Sequence, residues 1–462
     1  MIRRFYATKD NTITNAFKED LVTRGTGSNM GASDILETFS IFAQASSGSS
    51  EAARILIEFD TTKISSDRLA NLLPASGSVS WYLKMYNAPH SRTVPSNYDL
   101  LVSAVSSSWQ EGYGLDMEFY EDLTRNKIGS NWIQARQSAS ADDNGKWTTV
   151  GGDYHAAPTS TQTFSSGLEN LEVDVSDIVE HWLAGTKTNY GFGVRLTDSF
   201  ETYFSSSTGA NTGSIIHNTS GQQRSFFTKK FFGRESEFFL QRPVLEARWD
   251  SARRDDRGSF YASSSLASAG DNLNTLYLYN RIRGRLRDIP NAPTSASLRA
   301  SATGANLYNA AVTRESKGIY KADLFLNTTA STLNDIWWVS ASSGITAYHT
   351  GTISVKSFKA YGHNPEEAYV LSMPSLRKQY RKDQTHRFNL YVREKNWSPN
   401  IHTIAVRASI PSLTIPSASF QLRRCIDDYV VIPYGTGSST EPAYTSLSHD
   451  ISGNYFDLDT TY

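Results

Sequence analysis

Apolar and polar residues swap at every position through short runs of this chain, and stretches rich in Ser, Thr, Gly, Asn and Asp separate the runs. Residues 53–60 show the pattern: Ile55, Ile57 and Phe59 fall on one face of a predicted strand, Arg54 and Glu58 on the other. The same period of two runs through residues 79–86, 276–279, 352–355 and 387–392. A helical period is rare, and residues 176–185 carry its best example. There Ile178, Val179, Trp182 and Leu183 make one apolar stripe, Ser176 is placed to cap the start, and Gly185 is placed to end it. Many strands and one short helix predict an all-β protein.

Changes in chemistry divide the chain. Residues 205–223 are rich in Ser, Thr, Gly and Asn and read as a long loop, with strand material resuming at Phe226. A dense run of alternating charge at residues 251–258 follows the predicted strand ending at Trp249, and Tyr361-Gly362-His363-Asn364-Pro365-Glu366-Glu367 reads as a second break. The resulting segments are 1–250, 251–361 and 362–462, and the last two have the size of immunoglobulin-like β-sandwiches.

Composition narrows the function classes. Lys plus Arg is 45 and Asp plus Glu is 46, giving a net charge of −1, which argues against a chain that binds by neutralising many phosphates. The one cysteine, Cys425, allows no intrachain disulfide and points to assembly in a reducing compartment. No apolar run of signal-peptide length follows Met1-Ile2-Arg3-Arg4, and none reaches the length of a membrane span, so a chain made without export is expected.

Several motifs in the first segment occur in a familiar order: Asp10-Asn11-Thr12-Ile13, residues 53–60 with Ile64, Trp81-Tyr82-Leu83, Trp109-Gln110-Glu111-Gly112, Val173 through Gly185 with Asn189-Tyr190-Gly191-Phe192, and Arg242 through Arg248. In these residues the segment resembles the DNRLRE family of jelly-roll modules related to carbohydrate-binding domains. The resemblance implies a jelly-roll fold and brings no shared catalytic residues. It departs from the family in the long insertion between Phe200 and Phe226 and in the aromatic-basic block at residues 224–239. With Phe227 to Phe232, Arg242 to Asp250, Leu273 to Asn280 and Ser452 to Leu458, the chain resembles structural proteins of tailed bacteriophages, particularly myovirus-type particles from marine hosts. The resulting expectation is a jelly-roll sandwich at 1–250, followed by immunoglobulin-like β-sandwiches at 251–361 and 362–462.

Enzyme signatures are absent: there is no G-x-S-x-G elbow, no phosphate-cradling loop and no H-E-x-x-H. The adjacent carboxylates Glu366-Glu367, Asp255-Asp256 and Asp427-Asp428 read as turn and edge residues, since neighbours on a strand face opposite ways. Asp142-Asp143-Asn144-Gly145 reads as a turn and lacks the later glutamate of a calcium loop. No catalytic residue, metal ligand or cofactor is expected. Arg281, Arg283, Arg285 and Arg287 are spaced to share one face of a strand, either as a guarded edge, as a face paired with neighbouring acids, or as an intersubunit contact. Phe231 and Phe232 stand in a block of paired phenylalanines that packs in a core or domain interface, or against another subunit. Trp81 and Trp109 are candidates for stacking on sugars, or else core residues.

These readings predict a non-enzymatic virion structural protein, attached at the neck or collar, tail or baseplate, or capsid surface. It would be present in multiple copies, be assembled in the host cytoplasm and contact other virion proteins, with no direct nucleic acid and no membrane span. The alternative is a fibre-like adhesion module that recognises host-surface glycan through the jelly roll.

Overall fold

The computed structural model describes residues 1–42, 50–89, 94–115, 128–137, 145–264, 266–268, 270–356, 368–406, 412–435 and 443–461. Strand occupies 44% of the chain against 8% helix, so the protein is all-β. It divides into two compact units, Ile2–Trp249 and Asp250–Tyr462, the second also taking in Met1. The break expected at Tyr361 to Glu367, the Glu366-Glu367 pair and the turn at Asp142 to Asn144 lie outside the described residues.

The first unit contains β1 (Ile2–Thr14), β2 (Ile35–Phe42), β3 (Ser50–Phe59), α1 (Thr61–Leu69), β4 (Ser80–Met85), β5 (Tyr98–Val105), β6 (Tyr154–Phe164), β7 (Leu171–Asp174), α2 (Ser176–Leu183), β8 (Phe192–Leu196), β9 (Phe226–Phe232) and β10 (Val244–Arg248). Its strands follow the order β6-β5-β8-β3-β1-β10-β4-β7, with β2 bridging β3 to β9. The first strand serves two partners. Ile2 to Tyr6 pair antiparallel with β10, Ala7 to Thr14 pair antiparallel with β3, and the register slips between Ala7 and Lys9. A one-residue slip of this kind bends a strand and re-aims its side chains, which lets β1 join two differently directed stretches of sheet.

Both faces of β3 are buried, the one that carries Arg54 as well as the one that carries Ile55, Ile57 and Phe59. The reason is a second small core in which Ile13, Ala52 and Leu56 pack with Trp109, Trp132 and Trp147 from the covering segment. Each indole N–H donates to a backbone carbonyl at 2.8 Å: Trp109 to Tyr190, Trp132 to Ser214 and Trp147 to Asn131. A buried indole N–H usually finds such an acceptor. The packing of their rings on Ile13, Ala52 and Leu56 holds that segment to the sheet.

The predicted helix forms as α2, and Gly185 ends it with φ +72°. Its start differs from expectation: the cap position is Val175, and the Ser176 hydroxyl accepts the Trp81 N–H at 2.8 Å. The sequence pattern did not show α1; Asp60 caps it through a 2.8 Å bond from the Thr62 N–H. Residues 205–223 form the long loop expected, folded on itself by isolated pairings of Thr202 with Gln222 and Phe204 with Asn218.

The second unit contains β11 (Asn274–Tyr279), β12 (Arg281–Ile282), β13 (Arg285–Leu286), β14 (Pro293–Arg299), β15 (Asn306–Ser316), β16 (Ile319–Leu324), β17 (Thr332–Ala341), β18 (Gly344–Ser354), β19 (Tyr369–Ser372), β20 (Thr385–Glu394), α3 (Ile401–Ala405), β21 (Leu422–Arg423), β22 (Val430–Ile432), β23 (Ser448–Asp450) and β24 (Gly453–Asp459). One sheet runs β11-β16-β15-β14-β17-β18, a second runs β19-β20-β24-β23, and β12 with β13 and β21 with β22 form separate hairpins. The first of these sheets curls over a core of Leu276, Leu298, Tyr320, Leu324, Trp337 and Ile353. Lys356, just past β18, bonds Phe260, and the next residue, Tyr261, exchanges bonds with Asn274 at the start of β11.

Candidate functional site

The arginine stripe is a hairpin and not one strand. Arg281 pairs with Leu286 and Ile282 with Arg285, leaving Arg283 and Gly284 as the two-residue turn. Both turn residues have positive φ, 51° and 77°, the geometry that lets a tight turn follow the twist of its strands. Cross-strand partners share a face, so Arg281 lies on one face of the ribbon and Arg285 on the other. The single charged face read from the spacing of two is thereby overturned: the glycine inside the alternation reverses the chain.

The hairpin base is firmly held. Arg287 N–H donates to Asn280 O at 3.0 Å, and Asn280 Nδ2 donates to Arg287 O at 2.6 Å. Gly318, at φ +71°, presses on this base so closely that a Cβ would stand 2.7 Å from the Arg287 nitrogen. The four arginines are exposed, and among the described residues none has an acidic partner. The nearest acid in sequence is already engaged, since Asp288 takes both Arg314 nitrogens at 3.0 Å and the Gly318 N–H at 2.8 Å. Those bonds hold the Asp288 carboxyl below its ordinary value. The hairpin thus carries four positive charges, spread over both faces, and an exposed Ile282.

Phe231 and Phe232 are not at a surface. Phe231 is fully buried against Phe164, and buried Phe232 meets Phe238 at 5.5 Å. The face of their strand that carries Phe227, Lys229 and Phe231 is buried, and of the alternatives read from the sequence, core packing or contact with another subunit, the pair takes packing within its own unit. Phe226, Phe238 and Phe239 are the exposed members of the block. Trp81 and Trp109 are likewise interior: Trp81 donates to Glu180 at 3.1 Å, and Trp109 to Tyr190. Neither ring is open to a sugar.

Among the described residues each unit also has a polar cleft. In the first unit a cleft of about 510 Å³ is lined by Arg54, Asp153, Tyr154, His155 and Arg195. Its polar groups are largely engaged already. Arg54 holds Glu201 through two bonds of 3.0 and 2.7 Å, and Tyr154 donates to Gly151 O at 2.9 Å. Asp153 accepts the Thr148 and Thr149 N–H groups at 2.9 and 2.8 Å, which makes it a turn anchor. In the second unit a cleft of about 290 Å³ is lined by Asp256, Ser259, Tyr261, Asn272 and His449. Burial lowers the basicity of His449, and burial raises the Asp256 carboxyl despite its 2.7 Å bond from the Thr275 N–H.

Sequence reading missed the buried charges. Glu246 lies between Arg4, at 2.8 Å, and Arg248, at 2.5 Å, and Arg248 continues to Glu172. Burial opposes the Glu246 charge, yet Arg4, Lys84 and Arg248 hold its carboxyl down at about 2. Asp10 is the opposite case: fully buried, it has one oxygen bonded to the Arg234 N–H at 2.6 Å and the other without a partner, and burial lifts it to about 7. Lys229 is buried over Phe164 and Phe231, bonded to Asn87 and the Gly167 carbonyl, and lowered by burial to about 8. The lysines in the β9 alternation were visible in sequence, but their distant partners were not.

Among the described residues, no group of three or more His, Cys, Asp or Glu is placed to hold a metal ion. No helix among them is long and apolar enough to cross a membrane. No protein-family model matches the chain, and no curated protein matches it.

Proposed function

We propose that this chain is a non-enzymatic structural component of a tailed-bacteriophage particle. It is assembled in the host cytoplasm and attached at the neck or collar, tail or baseplate, or capsid surface. In this reading the first unit is a DNRLRE-like jelly roll, and the remainder comprises two immunoglobulin-like sandwiches. The observation that carries the proposal is the arginine hairpin. A rigidly based ribbon with four exposed, unpaired arginines is costly to leave facing like charge and well suited to an acidic partner surface. Mass spectrometry of purified particles is the test. The chain in stoichiometric amount supports the reading, and its absence from particles overturns it.

The second reading is glycan adhesion through the first unit. It draws on the polar cleft beside Tyr154 and His155, because sugars are bound by combined stacking and hydrogen bonding. A glycan array with the full chain tests it, and a flat response removes it.

A further inference from the structure

Beside the arginine hairpin lies a sheet edge that neither charge nor proline guards. β18 closes one side of its sheet and pairs with β17 alone among the described residues. Eleven residues long, Gly344 to Ser354, it contains no Lys, Arg, Asp, Glu or Pro. From Gly344 to Thr350 every residue is exposed, including Ile345 at 70% and Tyr348 at 45%. Both faces and the outer edge of this arm therefore meet solvent. Such an edge presents a row of free N–H and C=O groups, a template for another strand.

The other long edges are protected. β6 contains Pro158, and its Ser160 and Gln162 side chains bond the backbone at Asp174 and Asn170. At β11, the opposite side of the same sheet as β18, Asp256 takes the Thr275 N–H, and Asn274 exchanges bonds with Tyr261. β9 is flanked by bonds between Phe232 and Tyr86 and between Ala88 and Lys230. The only irregularity on β18 is the register shift opposite Trp337 and Trp338, which leaves Tyr348 unpaired in the ladder. Tyr348 uses its hydroxyl to reach Asn280 at 3.1 Å, which joins the arm to the base of the arginine hairpin. The edge and the arginine hairpin thus adjoin in one surface, with arginines on both faces of the ribbon.

We infer that this surface is a strand-addition site for an extended, acidic segment of a different protein. The segment pairs its backbone with Gly344 to Thr350, and its carboxylates meet Arg281, Arg283, Arg285 and Arg287. Backbone pairing supplies affinity, and the arginines supply direction and selectivity. A second copy of the same edge is the wrong occupant. Antiparallel pairing of β18 with itself would bring two sets of four unpaired arginines to one junction, where like charges repel. The inference deepens the assembly reading, but it requires only a protein partner and not a viral one.

Hydrogen exchange on the full chain tests it, with a soluble peptide of alternating valine and threonine flanked by glutamates as the probe. Protection confined to Gly344–Thr350, lost with lysine flanks and weakened roughly tenfold or more by Arg283→Glu with Arg285→Glu, is the expected result. No protection at β18, or equal protection with lysine flanks, overturns the site. A concentration-dependent dimer that protects β18 without peptide overturns the choice of occupant. Particle mass spectrometry can fail while this binding holds, so the two readings fail separately.

Discussion

The guanidinium of Arg4 meets the carboxylate of Glu246 at 2.8 Å, with both side chains sealed from water. The two residues are partners in the β1–β10 register, so the ion pair sits on the ladder that joins the first strand of the unit to the last. Two charges buried this deeply are tolerated only as a set, because each pays a large desolvation cost that its partner offsets. Replacing Glu246 with Gln leaves Arg4 and Arg248 facing a neutral group, and a loss of about 3–5 kcal/mol is expected. Urea unfolding of the first unit's signal measures it.

Acid should expose the same pair. The Glu246 carboxyl titrates at about 2 in the fold, against 4.5 for a free glutamate. A lowered carboxylate pKa adds stability that is complete above the unfolded value and drains away as pH falls toward the folded one. The stability contributed by Glu246 should therefore decline between pH 4.5 and about 2. Equilibrium unfolding across that window should show a steeper loss for the wild-type chain than for Glu246→Gln.

Asp10 works with the opposite sign. Its folded value of about 7 lies above the ordinary 3.8, so the fold favours the protonated acid. Stability is penalised progressively as pH rises through that interval, and the penalty is complete above it. Asp10→Asn keeps an oxygen for the Arg234 N–H and removes the charge. It should raise the melting temperature at pH 8, by the equivalent of a few kcal/mol on the order set by the shift, and change it little at pH 4. Differential scanning calorimetry at the two pH values decides it.

Much of this fold was legible from periodicity. The strands at residues 53–60, 276–279 and 387–392 and the helix at 176–185 all stand where alternation or an apolar stripe placed them. What alternation did not carry was burial. Arg54 falls on the polar face of its strand, yet its partner Glu201 is 147 residues away and three tryptophans cover that face. Period two tells which residues share a face, and only tertiary packing tells whether a second layer covers it. The arginine stripe failed for a local reason: Gly284 lets the chain turn where unbroken alternation reads as a strand. For Trp81 and Trp109 the sequence left stacking on sugars and core packing both open, because tryptophan serves a core as readily as a ligand, and both rings are buried.

The tryptophan anchor can be tested directly. Trp132 is fully buried, donates to the Ser214 carbonyl and lies 5.4 Å beneath the Arg54 guanidinium. Trp132→Ala should cost about 3–5 kcal/mol through the cavity and the lost anchor. It should also release the segment around residue 150 to proteolysis before the rest of the unit unfolds. Limited digestion followed by mass mapping reports the order of events.

The hairpin separates stability from interaction. Arg283→Glu with Arg285→Glu alters only exposed, unpaired side chains, so the melting free energy should stay within about 0.5 kcal/mol of wild type. Asn280→Ala should be costlier, because it removes the bonds to Arg287 and Tyr348 that set the ribbon's direction. Thermal unfolding of the two variants side by side distinguishes a rigid presenting base from a passive loop.

The split loyalty of β1 has a consequence for synthesis. Its second half can pair with β3 soon after both leave the ribosome, but its first half must wait for β10, about 240 residues later, as the Arg4–Glu246 separation of 242 positions makes plain. At roughly 5–20 residues per second, that interval is on the order of 12–50 s. During it the nascent chain carries an unpaired strand end and a stranded arginine. Translation speed, and any chaperone able to shelter Ile2 to Tyr6, should therefore affect the yield of folded protein.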